Sequence, residues 1–331
     1  MDKNKLLLIA DAIISVAIIA GILYYIGADK IFAELSNINY FYLALSILFL
    51  CVMHLGMVLR IKLILNEIGS GTTKLIDIAK SHFVGMLLAD FTPARSGYFA
   101  TVASLSYNHN VPSEKAMVAI LGPQILDFIL KVVVGTISIL YLTSYVLKMN
   151  ETWFILLGAL VMVAMIAAMA LLLFSKRFLA LFSFAAKIPI ASKIYIMFVR
   201  SQEHSDVIVK KLPELLGLML FSWSGKAISW FFVAKSIGIN LELGFPEPLF
   251  YYFLQPTLTL LEFIPSPTIA GLGLSEGGGA VLLAVFGITA AKAASFVFLA
   301  RIKTTFVNLI AIPEALKTMK KMKDSEFMEG H

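Results

Sequence analysis

The sequence predicts an all-α polytopic membrane protein: about six full transmembrane helices plus two broken, re-entrant helical hairpins, arranged as an inverted repeat. Three observations carry this expectation. The 331 residues are 59% hydrophobic and only 15% charged, with a mean hydropathy of +0.88, whereas soluble domains hold roughly 25% charged residues. The apolar runs have lengths that match a bilayer. Two of these runs are interrupted, at residues 91–99 (FTPARSGYF) and 263–279 (FIPSPTIAGLGLSEGGG), by proline, glycine and a charged residue. Inside hydrocarbon a helix tolerates such a break only where the freed backbone is buried in protein or lines a wet cavity.

Residues 6–26 form the first predicted span, long enough to be retained rather than cleaved as a signal peptide. A loop over 27–39 carries Asp29, Lys30 and Glu34. The second span, 40–65, holds His54 and has Arg60 and Lys62 near its end; a polar connector follows over 66–80. Residues 81–107 are apolar but divided by Pro93 and Gly97. Each arm is about ten residues and reaches about 15 Å, half a bilayer core, so the segment reads as a re-entrant hairpin.

The third span, 116–147, carries Gln124, Asp127, Lys131 and Ser138 at three-, four- and seven-residue spacings, hence on one face. Residues 153–174 are the fourth. The connector 175–212 is rich in Lys and Arg, and its apolar patches suit short helices on the membrane surface. The fifth span, 213–237, aligns Ser222, Lys226 and Ser229. The second broken pair, 249–265 and 272–288, flanks Pro265, Pro267, Gly271 and Gly273, with Glu262 and Glu276 on either side. The sixth span, 291–312, carries Arg301, Thr304, Thr305 and Asn308 before a mixed Lys/Glu tail.

Charge sets the expected orientation. The basic stretches are the N-terminus, 60–80, 175–212 and the tail, while loops 27–39 and 238–248 are acidic. Six crossings place every basic stretch in the cytoplasm, with both termini there, and the acidic loops outside a cell membrane. Residues 1–312 then form a single transmembrane domain with repeat halves 1–148 and 152–312, and 313–331 a cytoplasmic tail. In register, Pro93 falls on Pro265 and Lys131 on Lys303.

The net charge of +6 follows from the positive-inside bias and does not point to nucleic acid. Cys51 is the only cysteine, which leaves no disulfide framework and no thiolate metal site. No phosphate-binding loop, zinc-protease helix or nucleophile elbow is present, and GLGLSEGG follows no strand, so the sequence calls for no cofactor and no metal.

Arg95, bracketed by Pro93 and Gly97, offers a planar fork for phosphate or carboxylate beside a half-helix start. Asp127 and Lys131 form an intrahelical pair that must face the bundle interior or water. Lys226 and Arg301 head two further polar stripes, so a shared cavity is expected, with Arg95, Lys131, Lys226 and Arg301 set against Asp127, Glu262 and Glu276. The excess of bases favours an anionic guest. Glu276 is expected to act as a fixed counter-charge rather than a proton carrier. His54 reads as a packed or hydrogen-bonded helix histidine.

The stretch Pro267-Thr268-Ile269-Ala270-Gly271-Leu272-Gly273-Leu274-Ser275-Glu276 resembles the P-T-P-G-G-x-G-x-x-E signature of the lysylphosphatidylglycerol synthase transmembrane-region family, the flippase-like membrane proteins. Pro93-Ala94-Arg95-Ser96-Gly97 is similar to that family's P-x-R-x-G-E. Ile269, Ala270 and Tyr98 depart from the two patterns. The resemblance implies translocation of a lipid or lipid-linked headgroup. Lysyl transfer, the work of a soluble domain in fused members, is not expected of this chain. The resemblance is compatible with a homodimer and with a separate synthase or glycosyltransferase that supplies the lipid. A membrane-embedded transferase acting on a polyprenyl-phosphate lipid, with Glu276 or Asp127 as base, is the alternative.

Overall fold

The computed structural model describes residues 20–21, 23–141, 174–184, 202–241, 245–263 and 274–329, with single or paired positions between 160 and 200. Every regular element among the described residues is helical. The first and fourth predicted spans lie largely outside the described residues, as does the Pro/Gly break 264–273.

The helices, in order, are α1 (Ala28–Ser36), α2 (Tyr40–Glu67), α3 (Leu75–Ala89), α4 (Ala100–His109), α5 (Ser113–Tyr141), α6 (Leu212–Ser236), α7 (Glu247–Phe263), α8 (Leu274–Val285), α9 (Ala290–Asn308) and α10 (Ile312–Glu329). A 3₁₀ segment, Pro93–Phe99, joins α3 to α4, and two five-residue turns, Lys176–Ala180 and Asp206–Lys210, remain of the basic connector. Among the described residues four helical stretches are long and apolar enough to cross a membrane: Tyr40–Glu67, Ser113–Ser138, Leu212–Ser236 and Ala290–Asp324.

Three differences from the sequence expectation have physical causes. Residues expected as the loop 27–39 include α1, because Ile31 is 2% exposed against the core and its carbonyl accepts from Ser295 Oγ on α9. The first hairpin arm begins at Leu75, inside the expected connector, and runs fifteen residues. The polar tail is helical, and α10 docks on α4: Glu314 Oε1 accepts from Asn108 Nδ2 at 2.8 Å and lies 3.0 Å from His109 Nε2.

The most extensive packing is between α2 and α6, which run antiparallel. Asn39 caps α2 by accepting from the amides of Phe41 and Tyr42, and its own N–H reaches Ser236 O at 2.8 Å. Further along, Ser229 Oγ donates to Ser46 O at 2.6 Å. At Gly225 a Cβ would stand 2.7 Å from Met53 N and 3.0 Å from Phe49 O. These are backbone atoms that cannot yield, so the close approach requires glycine. Large side chains such as Leu48, Phe41 and Leu220 are exposed on these two helices, as lipid-facing surfaces are expected to be.

Three clusters of buried residues form among the described residues. One joins α2, α3, α4 and α5 and takes in Ile208 and Leu215; the second joins α6, α7, α8 and α9 and takes in Ile31; the third sets Val84 and Leu87 of α3 against Ala311 and Ala315. Contacts also link segments far apart in the chain: α7 lies on α5 and α3 on α9, while α2 meets α6.

Candidate functional site

The first hairpin is built to hold its tip still. Asp90 ends α3, and its Oδ2 accepts from Asn308 Nδ2 at 2.8 Å and from Thr305 Oγ1 at 3.2 Å, both on the far end of α9. At the tip, Thr92 Oγ1 donates to Leu88 O (2.9 Å) and accepts from the Gly97 N–H (2.6 Å). A Cβ at Gly97 would overlap the Leu88 carbonyl, so this tight return is open only to glycine. Arg95 lies at φ +55, a left-handed conformation that a non-glycine residue adopts at a cost of about 1–3 kcal/mol. Such strain concentrates at ligand clamps. Arg95 Nη2 stands 3.8 Å from Asp90 Oδ1.

Beside this tip is a cavity of about 430 Å³. Arg60 enters it from α2, Asp90, Arg95 and Tyr98 from the hairpin, and Gln124, Asp127 and Lys131 from α5. Ser222, Trp223, Lys226 and Trp230 line it from α6, Gln255 from α7, and Arg301 and Thr304 from α9. Pro123 and Pro256 sit inside α5 and α7, next to Gln124 and Gln255, and interrupt the helical hydrogen-bond ladder at those points.

Of the residues singled out in the sequence, Arg95, Asp127, Lys131, Lys226 and Arg301 therefore stand on one wall or another of a single cavity. Asp127 Oδ2 pairs with Lys131 Nζ at 2.6 Å. Lys226 Nζ lies 5.2 Å from the Trp230 ring centre, within cation–π range. Glu262 and Glu276 fall in α7 and α8, near the ends that face the break, but their side chains lie outside the described residues. So do Pro265, Pro267, Gly271 and Gly273; Pro93 opens the 3₁₀ segment and Gly97 lies inside it. The polar stripes divide their work. Ser229 faces Lys303 and Ser46 rather than the cavity, Ser138 bonds back to Val134 O, and Thr305 and Asn308 hold Asp90.

Sequence reasoning missed three groups. Arg60, seven residues before the end of α2, is 3% exposed and stands 3.8 Å from Asp127 Oδ1. Asp90 read only as the last residue of an arm. Lys303 is buried with its ammonium donating to Ser229 Oγ, and no carboxylate among the described residues pairs with it. His54 is buried, 3.0 Å from His82 Nε2 through its Nδ1, and His82 Nδ1 lies 3.2 Å from Tyr98 OH, so the histidines tie α2 to the hairpin.

A basic cavity closed by a broken hairpin and set among bilayer-length apolar helices defines a multi-pass membrane protein with an internal polar site. The chain matches the description "Lysylphosphatidylglycerol synthase TM region" over residues 12–312 and belongs to that family. No curated protein matches it.

Proposed function

We propose that this protein is a flippase-like transporter that moves an anionic, phosphate-containing lipid headgroup across the cell membrane while the acyl or prenyl tails stay in the bilayer. The observation that carries the reading is the charge of the cavity. Arg60, Arg95, Lys131, Lys226 and Arg301 line it against Asp90 and Asp127. Fixed cations in a low-dielectric shell attract an anion far more strongly than they would in water. The family supports a membrane role tied to lipid.

The finer architecture belongs to the same proposal. Six full spans with two re-entrant hairpins in inverted halves, and cytoplasmic termini, are supported by the exchange of contacts: α7 on α5 against α3 on α9, and Ile208 in one core against Ile31 in the other. In this scheme no bond of the lipid is made or broken. Both described carboxylates of the cavity already have cationic neighbours, which fits counter-charge better than general base.

The test is translocation in reconstituted vesicles. Arg95→Ala is expected to fold, since the tip is held by Asp90, Thr92 and Gly97, and to lose headgroup movement. Normal movement by Arg95→Ala refutes the clamp. Mass spectrometry of the lipids separates transport from chemistry: a new covalent product makes the protein a transferase, and unaltered lipid with changed sidedness makes it a flippase.

A further inference from the structure

The cavity has a directional hydrogen-bond preference along the seam between α2 and α6. Arg60 is nearly fully buried at its wall, yet Nε and Nη1 have no hydrogen-bond acceptor among the described residues. The nearest carboxylate, Asp127, stands off at 3.8 Å because Lys131 holds it at 2.6 Å. On α6, Trp223 lines the same cavity, and its buried Nε1–H likewise has no acceptor among the described residues. A buried donor left unmade costs about 1–3 kcal/mol, more for a charged group. Both groups can only donate.

Their spacing follows from the seam. Gly56 faces Ser222 and Met53 faces Gly225 in the antiparallel pair. Arg60 is one turn past Gly56, and Trp223 is the neighbour of Ser222 on the other helix. At 1.5 Å per residue the backbone positions of Arg60 and Trp223 are offset by about 7 Å along the helix axes. A phosphate held by Arg60 leaves the Trp223 N–H, on the neighbouring helix, for a second acceptor on the same headgroup.

We infer that this seam is an acceptor subsite: Arg60 takes a phosphate and Trp223 a second acceptor on the same headgroup, either another phosphate or a sugar hydroxyl. The inference rests on the headgroup-translocation reading and narrows its substrate. The subsite favours a diphosphate or sugar-phosphate lipid and disfavours an aminoacylated headgroup. A lysyl ester would bring an ammonium, a group with donors only, against Arg60, Lys226 and Arg301.

Binding, rather than transport, tests this. The purified full chain in detergent is titrated with four probes: phosphatidylglycerol, its lysyl ester, a polyprenyl diphosphate and a polyprenyl phosphosugar. The expected order places the diphosphate or the phosphosugar at least about tenfold tighter than the lysyl ester, a difference that a single charge-assisted hydrogen bond supplies. Arg60→Gln is expected to weaken that preferred lipid about 10- to 100-fold. Arg60→Lys keeps the charge beside Asp127 and guards against a folding failure, but it lacks the fork and should not restore binding. Trp223→Phe keeps the ring and removes only the N–H. It should cost about 2- to 10-fold for a lipid with the second acceptor and nothing for phosphatidylglycerol. Whichever probe Trp223→Phe weakens identifies the second acceptor as phosphate or sugar.

Equal affinity for the lysyl ester, or an affinity for the preferred lipid that is unchanged in Arg60→Lys and in Trp223→Phe, overturns the inference. Tight, Arg60-dependent binding without translocation in vesicles overturns the transport reading and leaves the subsite standing.

Discussion

Cutting the link between Asp90 and α9 should loosen the hairpin tip by a measurable and separable amount. In Asp90→Ala the Nδ2 of Asn308 and the Oγ1 of Thr305 lose their acceptor, at 2.8 and 3.2 Å, and Arg95 loses its counter-charge. In water-soluble proteins, removing one partner of a buried charge pair costs about 3–5 kcal/mol. Between membrane helices, hydrogen bonds average about 0.6 kcal/mol and reach about 1.7, because the unfolded chain in lipid finds other partners. The charge and the two donors place Asp90 at the upper end, so a total loss of about 2–3 kcal/mol is expected. A double-mutant cycle isolates the contact. Asp90→Ala, Asn308→Ala and the pair are unfolded by denaturing detergent in mixed micelles, and the coupling should be about 1–2 kcal/mol. Asp90→Asn, which keeps an acceptor oxygen, should lose about half as much as alanine. A coupling under about 0.5 kcal/mol, the scatter expected of independent sites, refutes the view that this carboxylate fastens the tip to α9.

Other outcomes follow from single contacts. Thr92→Val removes the acceptor of the Gly97 amide and should cost about 1 kcal/mol in the same unfolding assay, with faster exchange of the Gly97 amide proton. Gly225→Ala should sharply lower the yield of folded protein, because its Cβ would meet the backbone of Met53 and Phe49. Gly217→Ala, with nothing within 4 Å, should be neutral or stabilising by up to about 1 kcal/mol. Lys303→Met should leave the thermal midpoint equal or higher, since the lysine brings a buried charge whose described partner is a neutral hydroxyl. A clear fall in that midpoint would reveal a counter-charge.

What could be read in the sequence was what local pattern encodes. Pro93 and Gly97 mark the first hairpin tip because no other residue types return a chain so tightly, and Asp127 with Lys131 announces a pair because one helical turn separates them. The family motif around Gly271 and Glu276 was legible for the same reason, although the break itself lies outside the described residues. Arg60 was not singled out for the cavity because its neighbours, Lys62 and the polar connector, look like a cytoplasmic flank. Only the long-range fold shows that α3 and α5 pack beside that end of α2 and bury the guanidinium. Asp90 carried no signal because its partners lie on α9. The helical tail was hidden by its lysines, since what docks it is Glu314 against His109 and Asn108, residues far apart in the chain.

Contacts between segments far apart in the chain govern the order in which the protein can be assembled. Asn308 follows Asp90 by 218 positions, and α3 rests on α9 and α10, which leave the ribosome long after it. During synthesis the hairpin of α3 and α4 therefore waits through the emergence of α5, α6, α7 and α8 with Arg95 beside Asp90 but without the donors of Thr305 and Asn308. A chain stopped after α8 would leave Asp90 without its two α9 donors. The hairpin tip is thus fastened only after α9 has been made.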